Sequence, residues 1–140
     1  MPLGMRKNAK VELISTVPLF AGLSKSELGQ LAAIADRLDF APGAVLIREG
    51  ERGREFFVLL DGEVEVRRKG RKLHVSGKGE FFGEMALISR EPRNATITAT
   101  SAVLALVIRD VEFRALLMQK PQIALKVLEA FASRLPADAT

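Results

Sequence analysis

The sequence predicts a mainly β fold: an antiparallel β jelly roll (a double-stranded β-helix) with an N-terminal helix and two C-terminal helices. Three observations carry this expectation. The middle of the chain is a series of short apolar or alternating runs. Glycine recurs between them, at Gly43, Gly50, Gly53, Gly62, Gly70, Gly77, Gly79 and Gly83. The segments on either side change to the helical period.

Residues 1–12 read as a flexible tail, polar and basic from Met1 to Lys10. Leu23-Ser24-Lys25-Ser26-Glu27-Leu28 is a complete helix start. Ser24 can accept from the Glu27 amide, Glu27 can reach back to the Ser24 amide, and Leu23 and Leu28 are spaced as a hydrophobic staple. Leu28, Leu31, Ala35 and Leu38 then share one helical face, and the helix is expected to stop before Pro42-Gly43. Val45-Leu46-Ile47 and Phe56-Phe57-Val58-Leu59-Leu60 are runs typical of buried strands. Asp61-Gly62 is the strongest short hairpin signal in the chain. Val64 and Val66, Leu73 and Val75, then Ala95, Ile97 and Ala99 alternate with polar residues, and Lys69-Gly70 marks another turn. Val103 to Ile108 is one more apolar strand. Asp110 can cap a helix carrying Val111, Phe113, Leu116 and Leu117. Pro121 suits the first turn of the last helix, whose stripe is Ala124, Val127, Leu128, Phe131 and Leu135, with Pro136 ending it.

These 140 residues read as one domain, 1–140, large enough to close a core without staples. The absence of cysteine excludes disulfides, thiolate zinc sites and a cysteine nucleophile. No stretch approaches the roughly 18 apolar residues of a membrane span, and no apolar segment follows the basic start, so a cytoplasmic location is expected. The net charge of +4 reads as a solvated basic surface. Arg67, Arg68, Lys69, Arg71 and Lys72 cluster at one hairpin, where charge protects a sheet edge. His74, the single histidine, falls at an outward strand position, which weakens any metal-enzyme reading. There is no G-x-x-x-x-G-K-S/T loop and no G-x-S-x-G elbow, and no catalytic residue or metal ligand is expected.

One segment, Phe81 to Ala99, breaks the strand pattern. After Phe82, Gly83 is followed by Glu84-Met85-Ala86-Leu87-Ile88, a good helix-forming string too short to stand alone. The first amides of a short helix favour an anion, and glycine lets a ligand approach the backbone. Arg93 supplies a planar, permanently charged fork suited to phosphate, and Ala95 leaves room beside it. Glu84 repels phosphate but accepts well from hydroxyls. Taken alone, Arg93 would read as a surface arginine paired with Glu91 or Glu84, and Glu84 as a first-turn carboxylate. Together they describe a site for an anion with a neighbouring hydroxyl.

Phe82-Gly83-Glu84-Met85-Ala86-Leu87, followed by Arg93-Asn94-Ala95-Thr96-Ile97, closely resembles the phosphate-binding cassette of the cyclic nucleotide-binding domain family. That pattern reads roughly F-G-E, an aliphatic residue, A-L, a variable stretch, then R-x-A-S/T-V/I. The order of elements from Val17 to Leu135 follows the family as well. The resemblance implies a ligand, cAMP or cGMP with cAMP favoured, and no cofactor. By the same resemblance Gly83 and Glu84 would hold the ribose 2′-hydroxyl and Arg93 the cyclic phosphate. The amides of Asn94, Ala95 and Ala86 would complete the cradle. Phe82, Met85, Leu87, Leu73 and Val75 would line the apolar wall. The last helix would act as a lid, with Leu128, Phe131, Arg134 and Leu135 as candidates.

Two positions depart from the family pattern. Glu80 stands where aspartate is frequent. Asn94 stands where Ala, Ser or Thr is usual, and its amide both donates and accepts, so it does not choose between the two ligands. The function implied is a ligand sensor acting through movement of its C-terminal helices, with a protein effector as partner. The alternatives are a sensor fragment of a larger transcription regulator, channel or kinase, or a partner-binding module that no longer binds nucleotide. With five residues after Leu135, no DNA-reading helix is expected within this chain.

Overall fold

A computed structural model describes residues 7–83 and 91–134 of the chain. It opens with helix α1 (Lys7–Ser15), a 3₁₀ turn (Pro18–Phe20) and helix α2 (Lys25–Ile34). Residues 7–12, read from the sequence as tail, are thus part of a helix, and two helices rather than one precede the strands. Packing decides this rather than propensity: Ile14 is fully buried, with Val11 and Leu13 against the same core. Lys10 Nζ donates to the carbonyls of Ala32 and Ala35 at 3.0 and 2.8 Å, satisfying acceptors at the end of α2.

The predicted capping box forms. Ser24 Oγ accepts from the Glu27 amide at 3.1 Å and Glu27 Oε1 from the Ser24 amide at 2.8 Å. The predicted end of α2 is wrong by several residues. The helix stops at Ile34, and strand β1 (Ala35–Phe40) follows at once. Leu38 is therefore a half-exposed strand residue, not part of a helix face. β1 pairs along its whole length with β8 (Val103–Arg109), from Ala35↔Ile108 to Phe40↔Val103, and this ladder overrides the helical period.

The remaining strands are β2 (Val45–Ile47), β3 (Glu55–Asp61), β4 (Val64–Arg68), β5 (Arg71–Ser76), β6 (Phe81–Phe82) and β7 (Thr96–Ala99). They form two antiparallel sheets, ordered β1-β8-β3-β6 and β2-β7-β4-β5, the jelly-roll arrangement the sequence predicts. β3 and β8 are apolar on both faces because each face has a partner. Phe56, Val58, Leu60, Leu106 and Ile108 pack toward the helices, in the core that also holds Phe113 and Ile123. Phe57, Leu59, Ala105 and Val107 pack toward the second sheet, against Ile47, Val64, Val66, Ile97 and Ala99. The Phe56 ring lies 5.5 Å from that of Phe113 and 5.7 Å from that of Phe81, measured between centroids.

Asp61-Gly62 does not make a hairpin. β3 and β4 belong to different sheets, and the turn between them carries the chain from one sheet to the other. Gly62 takes φ +91° and sits against the Ala102 carbonyl, where a Cβ would overlap it. The Glu63 amide donates to Ser101 Oγ and the Thr100 amide to the Glu63 carbonyl, at 2.9 and 3.0 Å, so the corner bonds to a neighbouring loop instead of to itself. Lys69-Gly70 behaves as expected. Both residues have positive φ, and they close the β4–β5 hairpin.

Helices α3 (Asp110–Gln119) and α4 (Pro121–Arg134) complete the described chain. Asp110 is the first residue of α3 rather than its cap, and its carboxylate accepts from the adjacent Val111 amide at 2.7 Å. Phe113 and Leu116 are buried, whereas Val111 points to solvent. Pro121 opens α4 as predicted. The face that α4 buries centres on Ile123 and Val127, and Leu128 is 61% exposed.

Candidate functional site

Arg93 organises the site. Its backbone is tied to the β2–β3 loop: the Arg93 amide donates to the Glu51 carbonyl at 2.8 Å, and its carbonyl accepts from the Gly50 amide at 2.9 Å. Its side chain is only 9% exposed. The guanidinium lies in a slot between Gly53 and Gly83. Nη2 donates to the Glu55 carbonyl at 2.7 Å, and the Glu55 carboxylate stands 3.9 Å from the same nitrogen. A Cβ on Gly53 would fall within the guanidinium itself. One on Gly83, which takes φ +83°, would stand 2.6 Å from the Glu55 carbonyl and 2.7 Å from Nη1. Two glycines from separate loops therefore make room for one cation and fix its plane.

The slot opens into a cavity of about 290 Å³. One side is Phe81, Phe82 and Gly83 at the end of the first sheet, and the other is Ile47, Val66 and Ile97 on the second. Glu91 to Ala95 border it, with Ala95 buried in the inter-sheet core. The β4–β5 hairpin contributes Arg68, Leu73 and His74. A hollow of mixed apolar and polar lining with a fixed guanidinium at one side suits a ligand that carries an anionic group and an apolar body.

Of the residues that the sequence selects, Phe82, Gly83, Arg93, Asn94, Ala95 and Leu73 come together on this cavity. Glu84, Met85, Ala86 and Leu87 lie outside the described residues. Val75 does not join the wall. It pairs with Glu65 on the outer face of the second sheet and is half exposed. The same ladder pairs Val66 with His74 and Val64 with Ser76, which puts His74 on the inner face and corrects its expected outward position. A bulge between Val66 and Arg67 leaves Leu73 as the extra residue and brings it to the cavity beside His74. Of the lid candidates, Leu128 is on the exposed side of α4 and does not line the cavity, Phe131 and Arg134 belong to α4, and Leu135 lies outside the described residues.

Sequence reasoning missed Gly53, Glu55, Arg68 and His74. Gly53 read as one turn glycine among many, and its role depends on a contact across the fold. The inward position of His74 was hidden because apolar residues alternate with it on an edge strand, where alternation no longer reports the core side. Among the described residues, no three His, Asp or Glu side chains are grouped to hold a metal, and no helix is long and apolar enough to cross a membrane.

The family model described as the cyclic nucleotide-binding domain matches residues 37–120, more than half of the chain and the stretch that builds the cavity. The chain belongs to this family. A cyclic nucleotide-gated potassium channel of Rhizobium etli is 37% identical over 113 residues, which cover 81% of this chain and 32% of the channel. A cAMP-dependent protein kinase regulatory subunit of Mycosarcoma maydis is 37% identical over 107 residues, covering 73% of this chain and 20% of that protein. The crystal structure of the Thermus thermophilus catabolite activator protein superposes with a TM-score of 0.74 at 28% identity, covering 84% of this chain and 57% of that one. This chain thus spans a third or less of these two curated relatives. The cyclic nucleotide-binding domain is a regulatory ligand-binding module, and the jelly roll with flanking helices described above is its fold.

Proposed function

We propose that this chain is a sensor that binds a 3′,5′-cyclic mononucleotide and passes the signal on through movement of α3 and α4, with no catalytic step of its own. The observation that carries this reading is the Arg93 guanidinium, fixed between Gly53 and Gly83 beside a cavity with apolar and polar walls. A singly charged cyclic phosphate placed there meets a permanent cation in a fixed plane. The amides of Asn94 and Ala95 adjoin it in sequence, and Glu84 supplies the acceptor for a ribose hydroxyl. Phe82, Ile97 and Leu73 offer apolar surface to the sugar and base.

The position of α4 supports the proposed movement of the helices. Its described residues do not border the cavity, so closing over a base requires α4 to shift, and ligand would favour the shifted state by binding it more tightly. A larger assembly suits such a module, because the similar channel and kinase subunit carry much more chain than this domain. The effector is thus either a further segment or a separate protein, and a cytoplasmic setting fits the cysteine-free, basic sequence.

Calorimetric titration with cAMP, cGMP and linear 5′-AMP tests this. Micromolar or tighter binding of a cyclic form, with 5′-AMP much weaker, is the expected result. A folded chain that binds none of them is a partner-binding module instead.

A further inference from the structure

The β4–β5 hairpin gathers positive charge at one edge of the second sheet. From Val66 to Gly79 the chain carries six Lys and Arg side chains and no carboxylate. The whole chain has a net charge of +4, so the rest of it is on balance acidic. The fold accounts for part of this cluster. Arg67 pairs with Glu65 at 2.7 Å, and the Asn94 carbonyl holds Arg68 at the cavity. Lys69, Arg71 and Lys72 are exposed, and among the described residues their side chains form no ion pair. Protection of the sheet edge does not need this surplus, because the bulge at Leu73 already interrupts β5. A large apolar side chain stands beside the charge. Val75 is half exposed on the outer face, opposite Glu65, and Lys72 lies on the same face, opposite Arg67.

The shape of the hairpin restricts what it can meet. β4 is paired with β7 as far as Arg67, so only the turn from Arg68 to Arg71 projects beyond the sheet. So short a ribbon does not seat in a DNA major groove, about 8.5 Å deep. The hairpin also has no aromatic side chain on which a nucleic acid base could stack. It fits a broad surface of negative charge with an apolar layer beneath, where cations meet the headgroups and an exposed apolar side chain reaches the acyl boundary. We propose that the outer side of the β4–β5 hairpin docks onto an anionic lipid bilayer, with Lys69, Arg71 and Lys72 at the headgroups and Val75 reaching below them. This surface is separate from the cavity and does not depend on nucleotide binding.

Sedimentation with lipid vesicles tests the docking surface. The folded chain should bind vesicles of phosphatidylcholine with roughly one-third phosphatidylserine, and not vesicles of phosphatidylcholine alone. Raising the salt from about 0.1 M to about 1 M should release most of the bound chain. Arg71→Gln/Lys72→Gln, checked to keep its melting temperature, should bind the charged vesicles roughly 25-fold more weakly, about fivefold per charge. Lys25→Gln/Arg114→Gln removes the same charge from the helices and should bind as the unaltered chain does. Val75→Ser should weaken binding by about two- to fivefold, and unchanged binding would remove the apolar contact from the assignment. Equal losses in the two double variants would overturn the proposal, since overall charge and not the hairpin would then be responsible. Equal binding to the uncharged vesicles, or binding that raised salt leaves intact, would overturn it without any substitution. A short DNA duplex or a polyglutamate peptide bound more tightly than the charged vesicles at the same salt would overturn it in favour of a nucleic acid or an acidic protein partner.

Discussion

The Lys126 ammonium and the Ser24 amide share one oxygen of Glu27: Oε1 accepts from Lys126 Nζ at 2.9 Å and from Ser24 at 2.8 Å. One carboxylate thereby closes the start of α2 and ties it to the middle of α4. The Ser24 amide, and after it the Lys126 ammonium, hold the Glu27 carboxyl below its ordinary value of 4.5, against the opposing effect of burial. A carboxyl lowered by folding adds stability above its unfolded value, and that contribution disappears as pH falls through the folded one. Denaturant midpoints of the unaltered chain and Glu27→Gln should therefore differ most near pH 7. The gap should close as pH drops below about 4.5. A gap that persists unchanged to pH 3 would mean that packing, not charge, accounts for it.

The same pair bears on signalling. Lys126 lays its stem near Gly22, whose added Cβ would meet Lys126 Cδ at 3.9 Å, and its head reaches Glu27. Lys126→Met keeps an apolar stem and removes the tie. If α4 must leave its present seat for ligand to be enclosed, this variant should bind cyclic nucleotide roughly two- to fivefold more tightly, the range of a partly exposed ion pair. Calorimetry reads this directly, and unchanged affinity would show that α4 does not move on binding.

Arg93→Ala should weaken cyclic nucleotide binding by about 10- to 150-fold, the loss of a charge-assisted contact. Gly53→Ala should do much of the same damage without touching the ligand, because its methyl group would occupy the guanidinium slot. The two effects should not add. In an Arg93→Ala background Gly53→Ala has nothing left to displace, so a double-mutant cycle measured by titration should show a coupling close to the full Gly53 effect. Additive losses would reduce Gly53 to a general structural role.

Glu84, whose role comes from the motif, is tested by selectivity rather than by affinity alone. Glu84→Ala should narrow the preference for a ribose ligand over its 2′-deoxy counterpart. Equal discrimination in both chains would make Glu84 a helix-start carboxylate only.

What the sequence disclosed follows from how local each feature is. The capping box at Ser24 and Glu27 is settled within four residues, and it formed as read. The run from Phe56 to Leu60 read as a buried strand, and it is one, covered on both sides. Leu38 misled because a helical period continued by chance into residues whose pairing partner, β8, lies far along the chain. Asp61-Gly62 gave a correct turn and a wrong topology, since a two-residue turn does not say whether the next strand returns to the same sheet. Of the residues the motif selected, Arg93, Phe82 and Ala95 border the cavity. His74 and Val75 were exchanged because alternation was read as core against solvent. One side of β5 borders the cavity, where polar His74 and apolar Leu73 both lie, so alternation there does not separate core from solvent.

β3 stands between the helix core and the inter-sheet core, with Phe56 on one side and Phe57 on the other. Such a strand has no solvent side to absorb change. A residue swapped for the sake of one layer is felt at once by its neighbour in the other, so the helices and the cavity cannot be revised independently during divergence. Related chains should therefore vary more readily along β5 while holding volume almost fixed from 56 to 60. A new ligand preference is accordingly easier to reach through the hairpin than through the strand at the centre of the fold.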